Sequence, residues 1–450
     1  MDAALESRTR ELAEALWRVE PASWRRPPLA LSRRLLGGLD GRPALRSAVF
    51  RFVDVAPACR GPRDRGAHLR AFVREVEGER LPLSLRPLRA RSAPRLPRLP
   101  LAAYGLVSGP ATALLARQFI AGRNVTDATG NLRRMWRRGQ AFAVDLLGEA
   151  TVTEAEAEAY FERCTETLRR LAEVTRDWPD QPLLDADTHG PLQRANLSIK
   201  LTALTPLLRP LAPERGAADA ARRLRPLLRL ARDLGAHLHL DMEDYDSRET
   251  LLLAFEEVLA DEEFRAGPSV GVVVQAYLRD AAETLERILA SPALGDREVP
   301  ATIRLVKGAY WDHERVIAAQ RGWAAPVWGH KRDSDACFER LSHVLIDARD
   351  RVRPAIATHN LRSLAQAIAY LERGGGRPEE LELQVLRGLG DEIADGLSRL
   401  GHRVRVYTPI GDLVAGMAYL VRRLLENSSN QGFLLQQRHH SLDDLLEPPG

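Results

Sequence analysis

TIRLVKGAY (302–310) begins as a β-branched, apolar run and ends on a lysine, a glycine and a tyrosine. A buried strand that delivers polar groups to a loop has this form. Six more runs share it: LSIKLTAL (197–204), HLHLDMED (237–244), VGVVVQAYL (270–278), AIATHN (355–360), LELQVLRGLG (381–390) and RVRVYTPIG (403–411). Helically spaced stretches of roughly 12 to 20 residues separate most of them. That alternation predicts parallel strands joined by crossover helices. Seven strands within about 215 residues suit an α/β fold of the distorted (βα)8 TIM-type barrel class better than a doubly wound sheet. The eighth strand has no clear place in the sequence. No GxGxxG follows a strand, so a Rossmann nucleotide site is not expected.

Upstream of residue 195 the pattern is helical. Residues 1–78 carry apolar residues at helical spacing (Leu5, Leu12, Leu16), broken at Pro21, Pro27 and Pro28. Arg80 to Pro100 holds six Arg, five Pro and no acid. It reads either as a solvated linker or as a patch for anionic lipid. A second helical block runs over about 101–182, with Thr151 or Thr153 placed to cap its TVTEAEAEAY stretch. The expected domains are an N-terminal helical arm with its linker (1–100), a helical segment leading into the barrel (101–190) and the barrel (191–440).

The chain has 450 residues, 45% hydrophobic and 28% charged, enough for a large core and unlike a disordered chain. No apolar run approaches the ~18 residues of a membrane span. The N-terminus opens with acids and lacks a signal core, so a cytoplasmic location is expected. Three cysteines, widely spaced and odd in number, suit a reducing compartment and argue against a disulfide framework or a cysteine zinc site; no metal site is expected. A net charge of +4 does not by itself call for a nucleic-acid partner.

Only three of the 65 basic residues are lysines, Lys200, Lys307 and Lys331. Against such an arginine bias, lysine survives by chance or where a compact or titratable ammonium is needed. Lys200 falls in the first run. Asp241 and Glu243 follow in the second, Gln275 in the third, Arg304 and Lys307 in the fourth, His359 and Asn360 in the fifth, Gln384 in the sixth and Tyr407 in the seventh. Active sites of barrels lie at the C-terminal strand ends. A buried cation there is costly without a counter-charge, which points to an anionic ligand or cofactor. In DLVAGMAYLVRRLLEN (412–427), Tyr419, Arg422, Arg423 and Glu426 share one helical face. Two readings stand: an ordinary surface helix, or a polar face turned into the barrel mouth to fork a carboxylate.

Five strings, NLSIKLTAL, IRLVKGAYWD, IATHN, VYTPIG and AYLVRRLLEN, occur in this order and resemble the proline dehydrogenase domain of proline utilization A flavoproteins. FAVDLLGEATVTEAEAEAY (142–160) resembles that family's helical segment before the barrel. The resemblance implies a barrel with non-covalent FAD that oxidises L-proline to Δ1-pyrroline-5-carboxylate. Electrons then pass to membrane quinone, with peripheral contact at the inner membrane face.

It further implies that Arg422 and Arg423 hold the substrate carboxylate, with Lys200 as a third cation and Glu426 as counter-charge. Arg422 would pair with Glu149, and Asp145 would support the other arginine. Asp241 and Tyr407 would shape the pocket, lined also by Tyr310 and Tyr419. Arg304 and Gln275 would meet the flavin ring, with Lys307, Gly308, Ala309 and Trp311 along the chain and phosphates. Thr358, His359, Asn360, Gln384 and Leu386 would complete the cofactor contacts, and Lys331 would lie near the adenosine.

Two strings depart from the family: DMED (241–244) replaces DAEE, and LRGLG (386–390) replaces LHGMG, which would bring Arg387 near the cofactor. No ribbon-helix-helix segment is recognisable, so DNA binding is not expected. No aldehyde dehydrogenase half is present, so a separate Δ1-pyrroline-5-carboxylate dehydrogenase is the expected partner unless the enzyme acts alone. Two alternatives use the same barrel: a Schiff-base aldolase with Lys200 as nucleophile, and a non-catalytic scaffold.

Overall fold

The computed structural model describes residues 2–18, 42–76, 78–82, 85–89, 101–148, 150–208, 210–412 and 442–449. Eight parallel strands close into a barrel: β1 (Gln140–Leu146), β2 (Asn196–Lys200), β3 (His237–Asp241), β4 (Ser269–Gln275), β5 (Thr302–Val306), β6 (Arg353–Ala357), β7 (Glu382–Leu386) and β8 (Val404–Ile410). Neighbours in sequence are neighbours in the sheet. β1 closes the ring, pairing with β8 from Gln140↔Val404 to Leu146↔Ile410 and with β2 at Val144↔Leu197 and Asp145↔Ser198. All seven runs read from the sequence contain barrel strands.

The missing strand is β1, inside the block expected to be helical; the barrel therefore starts some 50 residues before residue 191. The reason is burial on both faces. All seven residues of QAFAVDL are buried, which removes the alternation that marks a half-exposed strand. Helices on either side, Val125–Trp136 and Glu154–Thr175, then dominate the local pattern. Thr153 caps the second of these in a full capping box: its hydroxyl accepts from Glu156 N (3.3 Å), and the Glu156 carboxylate accepts from Thr153 N (3.0 Å).

The arm clasps its own barrel. Helix Ala3–Arg18 buries Leu12, Ala13 and Leu16 in the main core and packs on helix Leu361–Arg373. Arg362 pairs with Glu6 (2.5 Å), and Arg8 with Glu372 (2.8 Å). Helices Pro43–Val55, Pro62–Glu75 and Leu101–Phe119 share a smaller core with Phe119, Ile120 and Leu147, beside the C-terminal end of β1. Among the described residues, no helix is long and apolar enough to cross a membrane. The Arg/Pro stretch yields one short helix, Arg86–Arg89, and residues 90–100 lie outside the described chain.

Candidate active site at the barrel mouth

Barrel strands turn alternate residues inward. In most such barrels these are branched apolar side chains in layers. Here they are polar. Lys200 and Asp241 end β2 and β3 in register with each other. Asp145 comes from β1, Arg304 from β5 and Tyr407 from β8.

The structure joins these five residues in two linked groups. Lys200 Nζ donates to Asp145 Oδ1 at 2.6 Å. Arg304 donates to Asp241 Oδ1 (2.7 Å) and to the Ser198 hydroxyl (3.3 Å). Tyr407 donates its hydroxyl proton to Asp241 Oδ2 (2.5 Å), and the Arg304 guanidinium lies 5.3 Å from the centre of the Tyr407 ring. Asp241 is thus fixed by two donors and serves as an anchor.

Burial opposes charge on Lys200 and is the largest single influence. Asp145, Asp241 and Glu243 together outweigh it and hold the ammonium above the usual lysine range. For Asp241, burial prevails over Arg304 and Lys200 and raises its pKa. Glu243, bonded to the Thr202 hydroxyl, is also raised by burial. Asp145 Oδ2 and Arg304 Nε are buried and lack hydrogen-bond partners among the described residues.

A second group lies beyond β5. Asp335, on helix Lys331–Asp347, accepts from Lys307 (2.5 Å) and Lys331 (2.6 Å). Two ammoniums share one carboxylate, which leaves a positive charge for an anion. Burial lowers the Lys307 pKa against the pull of Asp335. Between the groups, Gly308 has φ +124, and a Cβ there would sit 2.3 Å from ring atoms of Tyr277. The chain is therefore open and tightly backed at this point. Trp311 donates to the Trp328 carbonyl (2.8 Å), while Ala309 and Tyr310 lie half-buried on the same loop. Gln275 donates to the Glu243 carbonyl (2.9 Å), and its Oε1 is buried without a partner among the described residues.

The β6 and β7 ends contribute less directly. His359 Nε2 accepts from Leu386 N (2.9 Å). Asn360 caps helix Leu361–Arg373, and the Thr358 hydroxyl accepts from Asn360 N (3.1 Å). These bonds make the three residues builders of the loop. Gln384 turns down the barrel to Glu382 (2.7 Å), so its amide donates away from the mouth. Arg387 also differs from expectation: its side chain reaches the Met135 sulfur (3.6 Å) on an outer helix. Glu149, Tyr419, Arg422, Arg423 and Glu426 lie outside the described residues.

Sequence reasoning missed Ser198, Asp335 and Tyr277. Asp335 was readable as the i+4 partner of Lys331. Ser198 was readable as an inward position two before Lys200. Away from the barrel, Cys59, Asp64 and His68 bring one ligand atom each to within 4.8 Å of one another. The cysteine spacing does not disclose that grouping.

The proline dehydrogenase family model matches residues 128–436, and a proline utilization A N-terminal domain model matches residues 2–119. The chain is 30% identical over 347 residues to the bifunctional protein PutA of Salmonella typhimurium, covering 75% of this chain and 25% of that one. It is 28% identical over 325 residues to proline dehydrogenase 1 of Bacillus subtilis (72% and 91% covered). A crystal structure of PutA from Bdellovibrio bacteriovorus inactivated by N-propargylglycine superposes with a TM-score of 0.84 at 32% identity, covering 99% of this chain and 44% of that one. The chain thus spans about a quarter of the length of the curated PutA relatives it matches.

Proposed function

The chain belongs to the proline dehydrogenase family, and we propose that its barrel oxidises L-proline to Δ1-pyrroline-5-carboxylate with FAD as cofactor. The observation that carries this reading is the barrel mouth itself: a largely buried ammonium and a buried guanidinium, each on its own carboxylate, beside a two-lysine anion site.

The residues fit the cofactor. Lys307 and Lys331 supply charge for a pyrophosphate, with Asp335 keeping both ammoniums in place. Gly308 leaves the backbone clear for close approach. Arg304 Nε and Gln275 Oε1 are buried polar atoms at the ring end. Trp311, Ala309, Thr358, His359, Asn360 and Leu386 frame the same loops; Gln384 supports them from below. Bound there, FAD supplies a two-electron acceptor for the hydride that leaves C5 of proline.

The chain's own groups position the substrate. Lys200 attracts the carboxylate; by the family resemblance Arg422 and Arg423 would complete the clamp with Glu426 as counter-charge, and Tyr310 and Tyr419 would line the pocket. Asp145, whose Oδ2 has no partner among the described residues, would support one of those arginines, and by the same resemblance Glu149 would pair with Arg422. Tyr407, held by Asp241, sets the limit of the ring pocket. Orienting a small zwitterion by its carboxylate places one ring carbon at the reacting position. In this reading membrane quinone at the inner face of the membrane would be the final electron acceptor, and a Δ1-pyrroline-5-carboxylate dehydrogenase activity would consume the product.

The aldolase alternative needs a neutral amine at Lys200. Its acidic neighbours hold that amine charged. A scaffold would have no use for buried, half-partnered cations.

The purified protein is expected to be yellow and to release FAD on denaturation; a colourless protein that takes up no FAD would refute the reading. Gly308→Ala forces a side chain onto the Tyr277 ring at positive φ, a conformation costing about 1–3 kcal/mol. It is expected to lower the flavin retained after desalting several-fold, measured as the ratio of visible to 280 nm absorbance.

A further inference from the structure

The barrel has a second polar mouth. At the N-terminal strand ends, opposite Lys200, a small cavity is lined by Asn196, His237, Arg353, Glu382, Arg403 and Arg405, among others. These are the first inward residues of their strands or immediate neighbours of them.

The charges there do not cancel. Arg405 is saturated: it donates twice to Glu382 (2.8 and 2.9 Å) and once to the Phe142 carbonyl (2.8 Å). Arg353 uses Nε and Nη2 on Asp187 (2.7 and 3.2 Å), and its Nη1 is buried without a hydrogen-bond partner among the described residues. Arg403 is 2% exposed. It stands 3.6 Å from Asp187 and 4.0 Å from Glu382, and its Nε and Nη1 have no hydrogen-bond partner among the described residues. Among the described residues, three guanidiniums thus face two carboxylates.

The histidines add no charge. His237 accepts or donates within a chain from Ser269 (2.8 Å) to His239 (3.2 Å), and burial followed by nearby guanidiniums keeps both rings neutral. Among the described residues one positive charge remains uncompensated, in a place where an unpaired charge costs several kcal/mol.

We propose that this end of the barrel is a binding site for one small monovalent anion of halide size, gripped by the free N–H groups of Arg353 and Arg403. The free space of about 20 Å³ admits a body of water size and no metabolite. A water would also need acceptors for its two protons. The open atoms are chiefly the guanidinium donors; the exceptions are Asn196 Oδ1, which a half-turn of the amide exchanges for an NH2 group, and His239 Nε2, which donates or accepts according to the ring's tautomer. A halide neutralises the surplus charge and ties Arg353 and Arg403 to the hairpin at Ala186–Asp187 and Gly190–Pro191. The site thus stabilises the closed base of the barrel and takes no part in the chemistry at the other end.

The test is thermal unfolding of the holoenzyme in chloride or bromide against gluconate, an anion too large to enter, at constant ionic strength. A saturable rise in Tm of about 3 °C is expected at a hundredfold excess over Kd, lost in Arg403→Met. Crystals of the unaltered protein grown in bromide are expected to show an anomalous peak within hydrogen-bond distance of Arg353 and Arg403. This second measurement stands even where Arg403→Met does not fold. Equal Tm in halide and gluconate, no peak between those arginines, or a peak without any Tm rise (an adventitious ion only) would each overturn the proposal.

Discussion

Lys200→Met is expected to slow reduction of the bound flavin by proline about a hundredfold, the worth of one charge-assisted contact of up to ~3 kcal/mol. Lys200 is the ammonium of the Asp145–Asp241 cluster, and its carboxylate partner Asp145 has a second oxygen without a partner among the described residues. The same substitution should move the pH profile of flavin reduction. The amine of proline must lose its proton before its lone pair can push into the forming C=N bond, and a neighbouring cation favours the deprotonated form. Removing that cation raises the amine pKa in the complex, so the midpoint moves to higher pH.

Lys200 itself does not titrate in that window. Its pKa is raised in the folded state, so its stabilising pairing is fully present below the usual lysine value near 10.5 and fades only above it. Stopped-flow reduction across pH 6 to 9 checks this (a range of about three units, wide enough for one titration). A midpoint unmoved by Lys200→Met would assign amine deprotonation to another group.

Arg405→Leu is expected to cost about 3–5 kcal/mol, because it strips a bidentate partner from a fully buried carboxylate. Burial pushes the Glu382 pKa up; Arg405, Arg403 and Gln384 overcome that and hold it down at about 2. A depressed acid contributes stability above its unfolded value near 4.5, and that contribution fades as pH falls toward 2. The unaltered protein should therefore lose stability steeply over that interval. Arg405→Leu should start lower and show little of that slope. Denaturation midpoints at pH 3, 4, 5 and 7 separate the two (about one unit per step below pH 5 suffices to draw the slope). An Arg405→Leu protein as stable as its parent at pH 7 would mean that Glu382 is not buried as an ion.

Much of this was legible because the barrel repeats one sentence. Each run from 197 to 411 carries a polar residue within its strand or just past the strand's end, and among these Lys200, Asp241, Arg304 and Tyr407 meet as the (βα)8 closure brings them together. β1 was illegible for the opposite reason: a strand buried on both faces shows no alternation, and strong helices flank it. Gln384 and Arg387 mark a finer limit. Position along a strand does not say whether an inward side chain leans up or down the barrel. Glu382 draws the Gln384 amide downward, and Met135 holds Arg387 outside. The arginine layer at the base was hidden likewise, since Arg353, Arg403 and Arg405 look in sequence like surface cations.

In the proposed function, the mouth of this barrel holds proline against a flavin. Anaerobic addition of L-proline to the FAD-loaded protein tests it most directly. The oxidised flavin absorbance is expected to disappear on mixing with a saturating dose, with Δ1-pyrroline-5-carboxylate formed in equal amount. A flavin that stays fully oxidised in folded, FAD-loaded protein would contradict it.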